Sequence, residues 1–129
     1  MNFPQGLRYT KTHEWARREG NRGVIGITDY AQKEISDVVF VELPKVGKVV
    51  KQGEAAAVIE SVKAAFDIYA PVSGTISRLN EAVTKSPQII NEDCYGKGWL
   101  FALTPSAPAE VSNLLSAGDY TKQIQAEAK

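Results

Sequence analysis

The chain has 129 residues, of which 43% are hydrophobic and 23% charged, and these values are typical of one globular domain with its own core. Fifteen basic residues balance fifteen acidic ones, which argues against nucleic acid or an anionic membrane as the main partner, because both require a basic face. The single cysteine, Cys94, excludes an intrachain disulfide, and with one histidine, His13, the chain cannot form a His/Cys metal cluster.

Short strand-like segments dominate the first half of the chain, and turn residues separate them. Thr28 is suited to cap a short helix over residues 29–35, with Asp29 favourable in its first turn. Pro44 stops a β-branched run. The predicted strands of this half are residues 7–10, 14–17, 24–27, 38–43 and a shorter piece within 45–54.

The second half continues this pattern and then changes period near its end. Pro87 permits at most short helical turns before it within the ambiguous stretch 81–91. Ser106 is predicted to cap a helix containing Pro108, and Tyr120 and Ile124, four apart, indicate a second helix. The predicted strands here are residues 56–62, 65–70, 75–79 and 99–103.

Many short strands at close spacing predict a mainly β fold, a small sandwich or flattened barrel, with short helices in one connection and at the C-terminus. No apolar run reaches membrane-spanning length, and residues 1–4 lack the features of a signal peptide or an arginine-rich presequence. We therefore expect one domain over residues 1–129, with a C-terminal helical extension over about 106–129, in a cytosolic protein or a mature form.

The informative place is Lys63, which lies between two alternating segments. Residues 56–62 and 65–70 each alternate in the manner of a strand, so they should form a hairpin with residues 62–64 at its apex. That apex, Val62-Lys63-Ala64, lacks the glycine or asparagine that tight hairpins favour. Such a conflict between local preference and topology often marks a functional site, although a continuous strand with one solvated lysine fits the periodicity equally well.

Five segments in order resemble the glycine cleavage H-protein family, over about residues 9–103. Any one of them would be far less specific than the ordered series. They are residues 10–15 (TKTHEW), 26–32 (GITDYAQ), 37–44 with 46–47 (DVVFVELP, VG), 60–65 with 67–74 (ESVKAA, DIYAPVSG), and 91–93 with 95–96 and 98–100 (NED, YG, GWL).

The resemblance implies a lipoyl-domain-like fold with lipoate as the covalently bound cofactor, attached to Lys63. The modification segment would comprise Glu60, Ser61, Val62 and Ala64 around that lysine. Residues matching the family's arm-docking positions are Thr12, Glu14 and Asp67. Two departures are visible, since Phe66 stands where a small polar residue is usual and Cys94 where proline is common.

The resemblance also implies a carrier that has no catalytic residues and is not itself an enzyme. It would take the aminomethyl group of glycine from a pyridoxal-phosphate glycine decarboxylase (P protein) to a folate-dependent aminomethyltransferase (T protein). Dihydrolipoyl dehydrogenase (L protein) would then reoxidise the arm, and lipoate-attaching enzymes would load it. We expect a monomer in the bacterial cytoplasm, or in the mitochondrial matrix for a mature eukaryotic form.

Some alternative functions would also use Lys63 as an attachment site, and others would not involve this lysine. A biotin carrier usually has methionines beside its lysine, whereas the only methionine here is Met1. A lipoyl relay protein that supplies lipoate to other complexes would share every motif, so this alternative stays open. A Cys94–His13 nucleophile pair has nothing to order it; Cys94 is expected to be inert and His13 to be surface-exposed or structurally bonded. An unmodified interaction module is disfavoured by the ordered motifs.

Overall fold

The computed structural model describes residues 1–127, which form two antiparallel sheets with a few short helices. The larger sheet has the strand order β1-β2-β3-β9-β8-β5, and the smaller one has the order β4-β6-β7. The strands are β1 (Arg8–Tyr9), β2 (Glu14–Glu19), β3 (Arg22–Ile27), β4 (Val38–Glu42), β5 (Val49–Val50), β6 (Ala55–Ser61), β7 (Ala65–Tyr69), β8 (Gly74–Leu79) and β9 (Phe101–Pro105). The helices are α1 (Asp29–Ile35), α2 (Ala82–Lys85), α3 (Ile89–Glu92), α4 (Ala117–Glu127) and a 3₁₀ helix (Pro108–Asn113).

The main core contains inward side chains from both sheets. Ile25 and Phe101 of the larger sheet and Ile59 and Ile68 of the smaller one are nearly or fully buried in the same cluster. Successive side chains of a strand point to opposite faces, and consecutive residues of β3 and β9 are buried because both faces of these strands are covered. The predicted mainly β fold is therefore confirmed.

A second apolar cluster joins the larger sheet to α4. Trp15 of β2 and Tyr9 of β1 are fully buried there, together with Tyr120 and Ile124 of the helix. The Tyr9 and Tyr120 rings stack with centroids 4.8 Å apart. Because residues four apart share one face of a helix, the pair predicted from the sequence is the pair that holds α4 to the domain. Residues 128–129 of the predicted C-terminal extension lie outside the described residues.

The helix predicted after Thr28 is confirmed, with Thr28 Oγ1 accepting a hydrogen bond of 3.2 Å from the Ala31 amide. One other local prediction is wrong. Ser106 caps no helix, because the 3₁₀ helix begins at Pro108 with Ala107 as its N-cap and no side-chain cap hydrogen bond, and the Ser106 amide donates to the Ser73 carbonyl at 3.0 Å. The four-residue α2 agrees with the prediction of at most short helical turns before Pro87, and α3 follows that proline within the stretch that was ambiguous from the sequence.

The last strand is Phe101–Pro105 and not residues 99–103. The backbone of Trp99 belongs to a turn instead. Its amide donates to the Gly96 carbonyl at 3.2 Å, and its own carbonyl accepts from the Asn80 side chain at 2.6 Å. Tertiary hydrogen bonds therefore decide where β9 begins.

Candidate functional site

Lys63 lies at the apex of the β6–β7 hairpin, in the loop of residues 62–64. The flanking strands pair with Glu60 opposite Ala65 and Val58 opposite Asp67. Lys63 is exposed, and Val62 beside it is 68% exposed. The hairpin thus presents its lysine to solvent with no bulky neighbour in the turn.

Ser61 supplies the turn chemistry that the apex lacks. Its hydroxyl oxygen accepts hydrogen bonds from the amides of Lys63 at 3.2 Å and Ala64 at 3.3 Å, and its own amide donates to the Ala64 carbonyl at 2.8 Å. A serine hydroxyl that binds backbone groups two or three residues ahead replaces the bonds of a tight turn. None of residues 62–64 has a positive φ, so the turn needs no glycine.

A corner of the chain beneath the apex supports this turn. The Val62 amide donates to the carbonyl of Asp37 at 3.2 Å. Asn91 of α3 holds that corner, because its side-chain amide donates to the Ser36 carbonyl at 2.8 Å and its Oδ1 accepts from the Val38 amide at 2.9 Å. The 91–93 motif therefore stabilises the lysine hairpin from behind, a role that the sequence did not reveal.

The outer face of the three-stranded sheet lies beside the lysine. Glu60 is exposed there, directly opposite Phe40, which is itself 51% exposed. Asp67, also exposed, is level with Val58 and lines a cavity of about 550 Å³, here called the outer cavity. The other residues around the outer cavity are Glu42, Leu43, Pro44, Lys45, Val46, Lys48 and Ala55, Ala56 and Ala57 with Val58.

Glu14 is a buried carboxylate in a second cavity of about 280 Å³, here called the Glu14 pocket. Only 1% of Glu14 is exposed, yet both of its oxygens have donors. Oε1 accepts from the hydroxyls of Thr10 at 2.6 Å and Thr12 at 2.5 Å, and Oε2 accepts from the Tyr69 amide at 3.2 Å. Burial raises the pKa of Glu14, and these hydrogen bonds partly offset that rise by favouring the charged form.

The structure brings Thr12 and Glu14 into direct contact and places Asp67 on the outer cavity. Asp67 and Tyr69 are two residues apart on β7 and so lie on the same side of it, about 7 Å from each other. The Tyr69 amide binds Glu14. One carboxylate therefore belongs to β7 at position 67, and the other, Glu14 of β2, contacts β7 at position 69. The sequence did not identify Thr10 as a partner of Glu14, because the spacing of the two residues does not predict a hydrogen bond from the Thr10 hydroxyl to the Glu14 carboxylate.

The two departures from the family pattern lie away from the exposed face. Phe66 is half-buried against the main core, on the face of β7 opposite to Asp67. Cys94 is 7% exposed, and burial raises the pKa of its thiol to about 12, as expected for an inert cysteine. His13 is structurally bonded, with Nδ1 2.8 Å from the Tyr120 hydroxyl.

Residues 1–127 contain no group of three or more His, Cys, Asp or Glu side chains that could hold a metal ion. None of the helices in this part of the chain combines the length and the apolar character needed to cross a membrane.

Comparison with known proteins gives full-length matches. The sequence profile of the family "Glycine cleavage H-protein" matches residues 7–127. A glycine cleavage system H protein of Thermus thermophilus is 53% identical over 99% of this chain and 100% of its own, and one of Herpetosiphon aurantiacus is 54% identical over 98% and 97%. The crystal structure of a glycine cleavage system H protein from Mycobacterium marinum superposes with a TM-score of 0.88 at 38% identity, covering 95% of this chain and 99% of that one. The chain therefore belongs to the glycine cleavage H-protein family, whose members are lipoyl carriers and not enzymes.

Proposed function

We propose that this chain carries lipoate as an amide on Lys63 Nζ and moves the aminomethyl group of glycine from glycine decarboxylase to the folate-dependent aminomethyltransferase. Dihydrolipoyl dehydrogenase then returns the arm to its oxidised state. The observation that supports this proposal is an exposed lysine on a hairpin apex held by Ser61, in a chain of this family. When attached, the dithiolane supplies the sulfur and redox chemistry, and the protein supplies position and shelter.

The geometry of the hairpin supports attachment of a lipoyl group to Lys63. The lysine is exposed, and its immediate neighbours Val62 and Ala64 leave room for an attaching enzyme. Acylation removes the ammonium charge and lengthens the side chain to about 13 Å from Cα to ring, scaled from backbone dimensions. Glu60 is exposed beside this segment and is available for recognition by lipoate-attaching enzymes.

An arm of this length can lie along β7 in the direction of the two carboxylates, Asp67 and Glu14. A strand rises about 3.3 Å per residue, so Asp67 lies about 7 Å beyond Ala65 and Tyr69 about 13 Å beyond it. An arm laid along the strand ends near Asp67, with its cargo directed towards Tyr69. The Tyr69 amide contacts Glu14, so a cationic amine carried to this position comes close to the Glu14 carboxylate.

Glu14 is suited to hold such an amine away from bulk water. Its carboxylate is already oriented by Thr10, Thr12 and the Tyr69 amide, so binding a cation requires little reorganisation. Low exposure also strengthens an ion pair formed there, because fewer waters compete for the charges. We therefore propose Thr12, Glu14 and Asp67 as the docking residues for the loaded arm.

Intact mass spectrometry tests the attachment. Protein isolated from cells with a functional lipoylation system should show one lipoyl mass shift, and Lys63→Arg should show none. Lys45→Arg, which removes another exposed lysine, is the matched control and should be modified normally. A lipoyl adduct on the Lys63→Arg protein, or a biotinyl shift on the wild type, would reject the assignment.

Ammonia release from the loaded protein tests docking. Glu14→Gln and Asp67→Asn should both accelerate release, because each removes a charge that holds the amine. Glu92→Gln, on the exposed surface of α3, should behave as the wild type. Unchanged release in both docking variants would remove this role from the pocket.

Reconstitution with the three partner enzymes tests the shuttle itself. Lipoylated protein should support glycine cleavage, whereas the Lys63→Arg variant should not. Failure of the lipoylated wild type in this assay, with normal transfer of its lipoate to other complexes, would favour the relay role instead.

A further inference from the structure

The turn of residues 10–13 delivers the hydroxyls that bind Glu14, and its backbone is strained. Its ends are closed by hydrogen bonds from the His13 amide to the Thr10 carbonyl at 3.2 Å and from the Thr10 amide to the Glu14 carbonyl at 3.0 Å. His13 has φ of 75°, in the left-handed region that a residue with a Cβ rarely adopts. Such a conformation persists only where the surroundings hold it in place.

Helix α4 supplies the restraint. The hydroxyl of Tyr120 lies 2.8 Å from His13 Nδ1 and 2.7 Å from Thr28 Oγ1, and the side-chain amide of Gln123 donates to the Lys11 carbonyl at 3.0 Å. Two contacts thus connect one face of α4 to two residues of the strained turn, Lys11 and His13.

The polar contacts at Tyr120 form a chain. The Ala31 amide donates to Thr28 Oγ1, the Thr28 and Tyr120 hydroxyls lie 2.7 Å apart, and the Tyr120 hydroxyl lies 2.8 Å from His13 Nδ1. Nε2 of His13 lies 3.5 Å from Glu127 Oε1. A hydrogen-bonded chain of this kind, with Thr28 and Tyr120 buried, restrains the orientation of its members.

We propose that Tyr120 and Gln123 are positioning residues for the Glu14 pocket, which hold the 10–13 turn so that the Thr10 and Thr12 hydroxyls point at the carboxylate. Neither residue contacts Glu14 in the hydrogen-bond network, so both act through the turn. This inference rests on the proposed function only for its effect on the loaded arm, since the state of Glu14 can be read without any arm.

Loss of the positioning contacts has a defined electrostatic consequence. If the turn relaxes, Glu14 loses donors to Oε1 while it remains buried, and its charged form becomes less favourable. The other titratable groups around the carboxyl are Lys11 and His13 on the turn, Tyr69 on β7 and Tyr120 on α4. The side chains of these four residues make no hydrogen bond to the Glu14 carboxylate, whose donors are the Thr10 and Thr12 hydroxyls and the Tyr69 amide.

The test uses Tyr120→Phe, which keeps the ring stacked on Tyr9 and removes only the hydroxyl. Titration of the unlipoylated protein by carbon-detected NMR of glutamate carboxyls should show the Glu14 pKa raised by about half a unit or more. Gln123→Ala should shift it in the same direction without touching the aromatic stack. Tyr30→Phe is the matched control, because Tyr30 lies 4.8 Å from the His13 ring and its hydroxyl makes no hydrogen bond within residues 1–127.

A Glu14 titration and amide exchange at residues 10–13 that match the wild type in both α4 variants would overturn the inference. The loaded protein gives a second readout, in which Tyr120→Phe should release ammonia faster than Tyr30→Phe. A shifted titration with unchanged ammonia release would support the positioning role and count against arm docking at Glu14, so the two proposals fail separately.

Discussion

Replacement of Ser61 by alanine tests how the lysine turn is built. The change removes one oxygen that accepts from two amides and leaves the strand residue buried as before. Both amides belong to exposed loop residues, so water can replace the lost acceptor. The two bonds, at 3.2 and 3.3 Å, are long, and a net cost of about 0.5–1 kcal/mol each predicts a total loss near 1–2 kcal/mol.

This cost should concentrate in the turn. A local loss of about 1.4 kcal/mol corresponds to about tenfold more frequent opening. Hydrogen exchange at the Lys63 and Ala64 amides should therefore accelerate about tenfold in Ser61→Ala, and lipoylation should slow because the lysine is presented in more than one geometry. Urea unfolding gives the global free energy for comparison.

Two variants serve as controls for this prediction. Ser61→Thr keeps the hydroxyl and should retain slow exchange, while Ser112→Ala removes a hydroxyl from the exposed 3₁₀ helix and should leave the turn unaffected. Wild-type exchange at both amides in Ser61→Ala would refute the assignment of the turn to Ser61.

Three further predictions follow from buried groups. Gly26→Ala would place a Cβ 2.5 Å from Trp15 Cζ2 and should cost about 1–3 kcal/mol in urea unfolding, whereas Gly6→Ala, with open space around it, should be neutral. Cys94 should react with a thiol reagent at pH 8 far more slowly in the folded protein than in urea, and equal rates would contradict its burial. Because burial raises the pKa of Glu14 on folding, its negative charge opposes folding. The free energy of unfolding of the wild type, relative to that of Glu14→Gln, should therefore fall as pH rises from about 4.5 through the folded pKa. The absence of this trend would mean that the carboxylate is in contact with solvent.

Periodicity predicted the strands well because it depends on neighbours in the chain. In β6 the alternation is seen in burial, since Ile59 and Ser61 are buried while Val58 is half-buried and Glu60 is exposed. The helix after Thr28 was equally predictable, since its cap lies three residues from the amide that it binds. The helix cap predicted at Ser106 is wrong, because Ala107 is the N-cap of the 3₁₀ helix and the Ser106 amide binds the carbonyl of Ser73, which is distant in the chain.

The arm-docking region depends on contacts between residues that are far apart in the chain. Glu14 was identified only by resemblance, and one of the donors to its carboxylate is the amide of Tyr69, 55 residues away in the chain. The link from Tyr120 to His13 spans 107 residues, and no spacing in the sequence indicates it. Asp67, like Glu14 a match to the family's arm-docking positions, lines the outer cavity because the alternation of β7 sets its direction.

The sequence by itself determined the mainly β fold and the helix that carries Tyr120, since both depend on side chains a few residues apart. Its periodicity predicted the hairpin with an apex at residues 62–64 but fitted a continuous strand equally well. Only the tertiary structure decided how the apex turns without glycine and how Glu14 is buried with three donors. The physical reason is that a buried charge and a strained turn are stabilised by groups from several strands and a helix, which meet only after the sheets have packed.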